Sequence, residues 1–436
     1  MSSGLTSRRE FEFLTDLVLK HSSGDDTVMS LWDSTGGTTR FANNQVVQNV
    51  HARRVTLTVT VAFGRRRGTV STTELTAGAV QDTLKRAERI ARLSPEDPQY
   101  LSPLPPQQYL SVPSWRGETS IAGPARRLAD ARGIIEICRG EGLNAAGIVA
   151  TSEGIMALST SEGLHAYELR TEGRFSVTVM DGDASAWASN AHRSCEHLAI
   201  EERTRLAINK VKRAGSPKQL AAGRYTVVLE PAAVAGLLSW MLWLLDAKSY
   251  EKGTSPFSGK LGQQLIDPRL NLHNLPLHPD LLGTRFDSDG VPSRESLWIQ
   301  DGVLRQLAYD RFTAHTKDLL PISLPEAPCL SGDGATEDLI ATMERGILVS
   351  NLWYLRIVNP TDLTLTGMTR DGTFLIENGA IVGAVHNFRF HESPLRVFSN
   401  LDECTHPAEA VTAETGKMLV PAMRIRDFNF SSVTRF

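Results

Sequence analysis

Strict alternation marks the first clear element of the chain. Val55, Leu57, Val59, Val61 and Phe63 are separated by Thr56, Thr58, Thr60 and Ala62, and a period of two describes a strand with one face buried. The period then lengthens. From Thr73 to Arg92, the residues Leu75, Val80, Leu84, Ala87 and Ile90 recur at roughly helical spacing. A Pro-rich stretch from Ser94 to Pro113 predicts a surface connection. A second helix is predicted over Ala122–Gly140, with strands over Gly147–Ser159 and Leu164–Val179. A basic amphipathic helix follows over His197–Ala214, with Ser194 as its cap. Gly215-Ser216-Pro217 stops that helix and sets the expected boundary between an N-terminal domain, 1–217, and a C-terminal domain, 218–436.

Beyond that stop the punctuation changes. Asp289-Gly290, Asp301-Gly302, Asp371-Gly372 and Asn378-Gly379 each lie between apolar, β-prone runs, and such pairs supply the positive φ that tight hairpins need. The one long apolar run, Ala232–Leu245, is interrupted only by Gly236 and Ser239. As a helix it rises about 21 Å, short of the hydrocarbon core of a bilayer. It therefore predicts a buried helix, Pro231–Tyr250, packed on antiparallel strands. The expected fold class is α+β: an N-terminal α/β domain of mixed strands and helices, then a mainly antiparallel β domain with a buried helix.

Composition narrows the function classes. Of the 436 residues, 41% are hydrophobic and 22% charged, the ordinary balance of a globular protein, and the length suggests two or three domains. A net charge of −3, with no Lys/Arg block longer than Arg65–Arg67, argues against direct nucleic-acid contact. Cys138, Cys195, Cys329 and Cys404 form no CxxC pair and suit a reducing compartment. The first residues lack the apolar region of a signal peptide. A cytoplasmic location without membrane association is the expectation.

The most ligand-rich segment is AVHNFRFHESPLRVFSNLDECTHP, which holds His386, His391, Glu392, Cys404 and His406. All are residue types that zinc accepts. Their spacing is unfavourable, because His386 and His391 lie an odd number apart and would face opposite sides of a strand. HRSCEH, from His192 to His197, has one residue too many for an inverted zinc motif and reads as a helix start. Asp287-Ser288-Asp289-Gly290 begins like a calcium loop, but Ser296 stands where the bidentate Glu belongs, so a turn is expected. Ser255 and Ser258 lack a base nearby in sequence. The Gly253–Gly262 loop offers glycines for close approach and small hydroxyl residues for hydrogen bonds. A tight connection with no binding role is the alternative reading of that loop.

Three C-terminal stretches resemble the TldD/PmbA family of metallopeptidases and their partner subunits: GTSPFSGKLGQQLIDPRL, DSDGVPSRESLWIQDGVLRQLAYDR, and LWYLRIVNPTDLTLTGMTRDGTFLIENGAIVGAVHNFRFHESPL. TTRFANNQVVQNV is similar to the early strand region of that family. The resemblance implies the same α/β plus antiparallel β organisation. TldD-type chains carry H-E-x-x-x-H on the helix before the Gly-Thr-Ser loop, two His holding metal and the Glu activating water. Here the helix reads GLLSWMLWLLDAKSY, the matching positions fall near Ser239, Trp240 and Leu244, and Asp246 is the only acid.

The resemblance is therefore closest to the TldE/PmbA-type subunit, which pairs with a metal-bearing TldD-type subunit to degrade or trim unstructured peptides. It implies no catalytic residue and no cofactor in this chain, with zinc in the partner. The expected assembly is a hetero-oligomer, with a homodimer as the alternative. Extended substrate would be held as an added strand. Gly253, Thr254, Ser255, Phe257, Ser258, Gly259, Asn387 and Arg389 are the implied substrate contacts, and Trp240 and Trp243 are core or interface anchors. The family's older label as a modulator of DNA gyrase reads as indirect. His386 and His391 stand where family members often show Asn. Two alternatives follow: a self-sufficient metal-dependent hydrolase using His386, His391, Glu392 or Cys404, with His406 as a further ligand candidate, and a non-catalytic peptide-binding scaffold.

Overall fold

A computed structural model describes residues 4–334, 336–412 and 416–434. The first sheet has six strands, Asp26–Ala42, Gln45–Phe63, Arg66–Thr72, Asn144–Thr160, His165–Asp181 and Ala184–His192. In space they run third, second, first, fourth, fifth, sixth, and every neighbouring pair is antiparallel. One face is made by odd-numbered positions of the first, second, fourth and fifth strands and, through the register, by even-numbered positions of the third and sixth. Met29, Leu31, Leu57, Val59 and Ala157 meet the helices Arg8–His21 and Ala77–Leu93 at one end of it. Ala145, Val149, Phe175 and Val177 meet the helices Pro124–Gly140 and Ile200–Ala214 at the other. Alternation thus puts every helix of this half on one side of the sheet. Gly68 lets the Ala77–Leu93 helix come close, since a Cβ there would lie 2.2 Å from the Ala87 carbonyl oxygen.

Several element limits move. The alternating run Val55–Phe63 is the inner part of a 19-residue strand whose first ten residues, nearly all exposed, carry no alternation. The helix expected from Thr73 starts at Ala77, because the Thr72 hydroxyl holds a turn by accepting the Glu74 N–H, and Thr76 caps the helix by accepting the Ala79 N–H. The helix expected over His197–Ala214 breaks at Ala199 (φ 51°) into a 3₁₀ turn, Cys195–Leu198, and the helix Ile200–Ala214. Ser194 caps that turn.

The remainder of the chain builds two further sheets. The larger has the order Leu352–Asn359, Thr364–Thr369, Phe388–Glu392, Met423–Val433, Gly223–Leu229, Arg345–Val349, Thr373–Glu377, Ala380–Ala384, with Leu401–Cys404 also paired to Met423–Val433. Only the Gly223–Leu229/Arg345–Val349 pair is parallel among its described pairs. The smaller sheet runs from Val303–Leu304 through Ser296–Gln300, Asn271–Asn274, Pro328–Ser331 and Met418–Val420 to Ala408–Ala410.

Asp301-Gly302 and Asn378-Gly379 close two-residue hairpins with φ of 50° and 72°, and 52° and 75°. Asp289-Gly290 closes a tight loop in which Asp287 Oδ1 accepts two backbone N–H groups. Asp371-Gly372 joins strands that are not neighbours, so it turns the chain between ladders rather than closing a hairpin. Among the described residues no helix is long and apolar enough to cross a membrane.

Candidate functional site

The apolar run folds as the helix Pro231–Trp243, shorter than expected; Leu244 closes it, and a separate turn of helix, Ala247–Glu251, follows. A helix that is hydrophobic all round must be buried all round. Val234, Leu237, Leu238 and Met241 are accordingly in the core, which joins this helix to strands of both C-terminal sheets. Trp240 is partly buried, and Trp243, 50% exposed, stands edge-on to it with ring centroids 5.1 Å apart.

Ser239 donates its hydroxyl to the Gly236 carbonyl at 2.8 Å. Asp246 accepts the Ser249 N–H at 2.8 Å and so caps the following turn. Trp240 and Leu244 have no lone pair to offer a metal. The residues at these positions do not fit a zinc ion.

In the loop beside it, the hydroxyl groups hold the loop together. Ser255 donates to the Leu244 carbonyl at 3.0 Å and accepts the Phe257 N–H at 3.2 Å, while Ser258 donates to the Tyr250 carbonyl at 3.0 Å. Thr254 donates to the Ser249 carbonyl at 3.2 Å. Phe257 is completely buried in the main core, so it anchors the loop from beneath. Gly253, Thr254 and Gly259 form the exposed rim, and both glycines have left-handed φ, 70° and 75°.

The His-rich segment separates on folding. Along the strand Phe388–Glu392, Arg389 and His391 face solvent while Phe388, Phe390 and Glu392 are buried. Glu392 accepts the Asn429 N–H at 2.9 Å and pairs with Arg396 at 3.2 Å and Arg224 at 3.8 Å. Burial raises its pKa above the usual carboxylate range, against the pull of the two arginines. Cys404 is buried beside Gly332, and burial pushes its thiol up as well. His406 is exposed beside Gly334. Among the described residues no group of three or more His, Cys, Asp or Glu is placed to hold a metal ion.

His386 and Asn387 instead line a cleft of about 160 Å³ with Asp183, Ser185 and Thr373. Its walls come from opposite halves of the chain. Ser185 donates to Asp371 Oδ1 at 3.0 Å, and Thr373 donates to Asn387 Oδ1 at 3.1 Å. The backbone N–H of His386 is held by the Lys218 carbonyl at 3.1 Å.

Family models account for most of this architecture. Residues 33–91 match the model for PmbA/TldA metallopeptidase domain 1, and residues 222–432 match that for the PmbA/TldA metallopeptidase C-terminal domain. The chain belongs to the PmbA/TldD family. It is 23% identical to the metalloprotease PmbA of Escherichia coli O157:H7 over 440 residues, covering 94% of each chain. A shorter similarity, 25% over 167 residues, links it to protein MJ0231 of Methanocaldococcus jannaschii and spans 38% of this chain and 39% of that protein.

Among solved structures, TldE from Thermococcus kodakarensis superposes with a TM-score of 0.85 at 19% identity, covering 97% of this chain and 99% of the other. A Thermotoga maritima MSB8 protein named as a candidate modulator of a DNA gyrase gives 0.87 at 19% identity, over 96% and 99%. At these identities the likeness speaks for the PmbA/TldD fold.

Within that fold, the cleft residues Asp183 and Ser185, and Asp371 as the partner of Ser185, escaped sequence reasoning. Ser185 and Asp371 lie 186 positions apart, and nothing local ties them. The Glu392–Arg396 pair did leave a signal, since four residues separate its members across the start of the short helix Pro394–Ser399.

Proposed function

We propose that this PmbA/TldD family member is the non-metal subunit of a two-chain metallopeptidase acting on unstructured peptides, its zinc held by an H-E-x-x-x-H-bearing partner. One observation carries the reading: at the positions where a zinc motif would need ligands beside the Gly-Thr-Ser loop, the buried Ser239 hydroxyl donates to the Gly236 carbonyl, and Trp240 and Leu244 pack partly buried against the core. The exposed rim of Gly253, Thr254 and Gly259 lets backbone approach backbone, which suits substrate held by main-chain hydrogen bonds with little sequence preference. The cleft around His386 and Asn387 lends a second surface for such a chain. Glu392, engaged by two arginines, is poorly disposed to act as a general base.

The test is metal analysis and peptidase assay on the lone chain and on the chain co-purified with its partner. The lone chain should carry no stoichiometric zinc and cleave no unfolded peptide, and the complex should do both. Stoichiometric zinc in the lone chain, lost in His391→Ala or His406→Ala, would refute the proposal.

A further inference from the structure

The outermost strand of the larger C-terminal sheet, Leu352–Asn359, has a strand neighbour on one side only. Its backbone is irregular. Tyr354 has φ of 57°, a left-handed conformation that bulky residues seldom adopt, and the register with Thr364–Thr369 shifts between Trp353 and Arg356 and again between Ile357 and Asn359. Such breaks deny another strand a flat edge to pair with. What the edge presents is side chains.

Those side chains form a continuous set. The Arg370 guanidinium lies 4.3 Å from the Trp353 ring centroid, the Arg356 guanidinium 4.2 Å from that of Tyr354, and the two rings are 5.5 Å apart. Trp353 pairs with Met368 and Met368 with Arg389, while Arg356 pairs with Thr366 and Thr366 with His391. Paired residues share a face of the sheet, so the exposed Arg389 and His391 extend the patch inward. Neither Leu352–Asn359 nor Thr364–Thr369 contains an Asp, Glu or Lys. Glu392 points into the core; Asp371 pairs with Arg370 through Oδ2 at 3.5 Å while its Oδ1 accepts from Ser185, so among the described residues Arg370 is the one arginine of the set with a neighbouring acid. A chain of net charge −3 thus carries a face of arginines and aromatic rings.

We infer that this face of the C-terminal sheet docks the acidic surface of a second protein subunit. The inference rests on the two-chain reading above and identifies which surface of this chain the partner covers. Trp, Tyr and Arg are the residues that dominate protein–protein hot spots. A single-stranded nucleic acid would instead need free ring faces for its bases to stack on. Here each ring already has a guanidinium over it.

The experiment uses the full chain and an H-E-x-x-x-H-bearing member of the family that co-purifies with it, with the dissociation constant measured at low and high salt. The double variant Trp353→Ala/Tyr354→Ala should bind about thirty-fold more weakly or worse. Arg356→Glu/Arg370→Glu should bind more weakly still at low salt and lose the weakening by salt that the natural chain shows. Circular dichroism and unfolding midpoints establish that the variants fold, and Arg389→Ser, at an exposed position, supplies a milder probe of the same face. Wild-type affinity in folded variants would overturn this inference and leave the two-chain reading standing. Absence of any such co-purifying chain would overturn both. Loss of single-stranded DNA or anionic-vesicle binding in the variants, with subunit affinity unchanged, would also overturn it.

Discussion

At the scale of single residues, placement overrides chemical type. Five side chains in one short segment are of kinds that bind metals, yet strand alternation sends His391 outward and Glu392 inward, and Cys404 is sealed beside Gly332. Glu392 holds two arginines and a backbone N–H, so its role in the lone chain is structural. Glu392→Gln should lower stability by about 1.5–3 kcal/mol in urea unfolding, the range for hydrogen bonds to charged groups. His391→Ala, at an exposed position, should stay within about 0.5 kcal/mol of the natural protein. Equal losses at both positions would mean that the two act as a unit.

At the scale of elements, the apolar periodicities were legible and the irregular joints were not. The inner part of Gln45–Phe63, the strands Asn144–Thr160 and His165–Asp181, the helices Ala77–Leu93 and Pro124–Gly140 and the buried helix announce themselves through their apolar pattern, whereas the strand Asp26–Ala42 does not. What stayed hidden has a physical cause in each case. Residues 45–54 show no alternation because the strand they form is exposed on both faces. The strand Ala184–His192 is rich in Ala and Ser, so its pattern was too weak to separate from a loop. The split at Leu244 carries no Gly or Pro to mark it. Of the site, the loop was visible, but the inward turn of Phe257, the cleft residues Asp183 and Ser185, and Asp371 as the partner of Ser185 depend on tertiary contact alone. A core reading of the buried helix makes a numerical demand. Leu238→Ala should cost about 2–5 kcal/mol in denaturant unfolding, whereas Trp243→Ala, half exposed, should cost much less.

At the scale of the whole molecule, the two halves meet through polar groups as well as apolar ones. Phe286 packs against Met156, Leu158 and Ala166 on the sheet face opposite the helices. Close by, Glu168 is buried and accepts the Arg285 N–H at 3.2 Å through one carboxylate oxygen, while the other has no hydrogen-bond partner among the described residues. Burial raises its pKa, with Arg170 and Arg193 pulling against that rise. A raised pKa means that the folded state holds the proton more tightly than the unfolded one. The corresponding stability is complete below the ordinary carboxyl value and is lost as pH rises through the raised one. Thermal unfolding from acid to mildly alkaline pH should therefore show Glu168→Gln gaining on the natural protein as pH increases. A constant offset across the range would contradict this account.

The helix Pro231–Trp243 changes what substitution means in this part of the molecule. A helix that presents metal ligands must keep particular atoms at particular distances, and few replacements preserve them. One enclosed on nearly all sides by apolar neighbours must keep its volume, and many replacements do. Swaps such as Met241→Leu or Leu237→Met should each cost less than about 1.5 kcal/mol. Identity here is free to drift while size is not, so this helix can change its letters faster than the shape it fills.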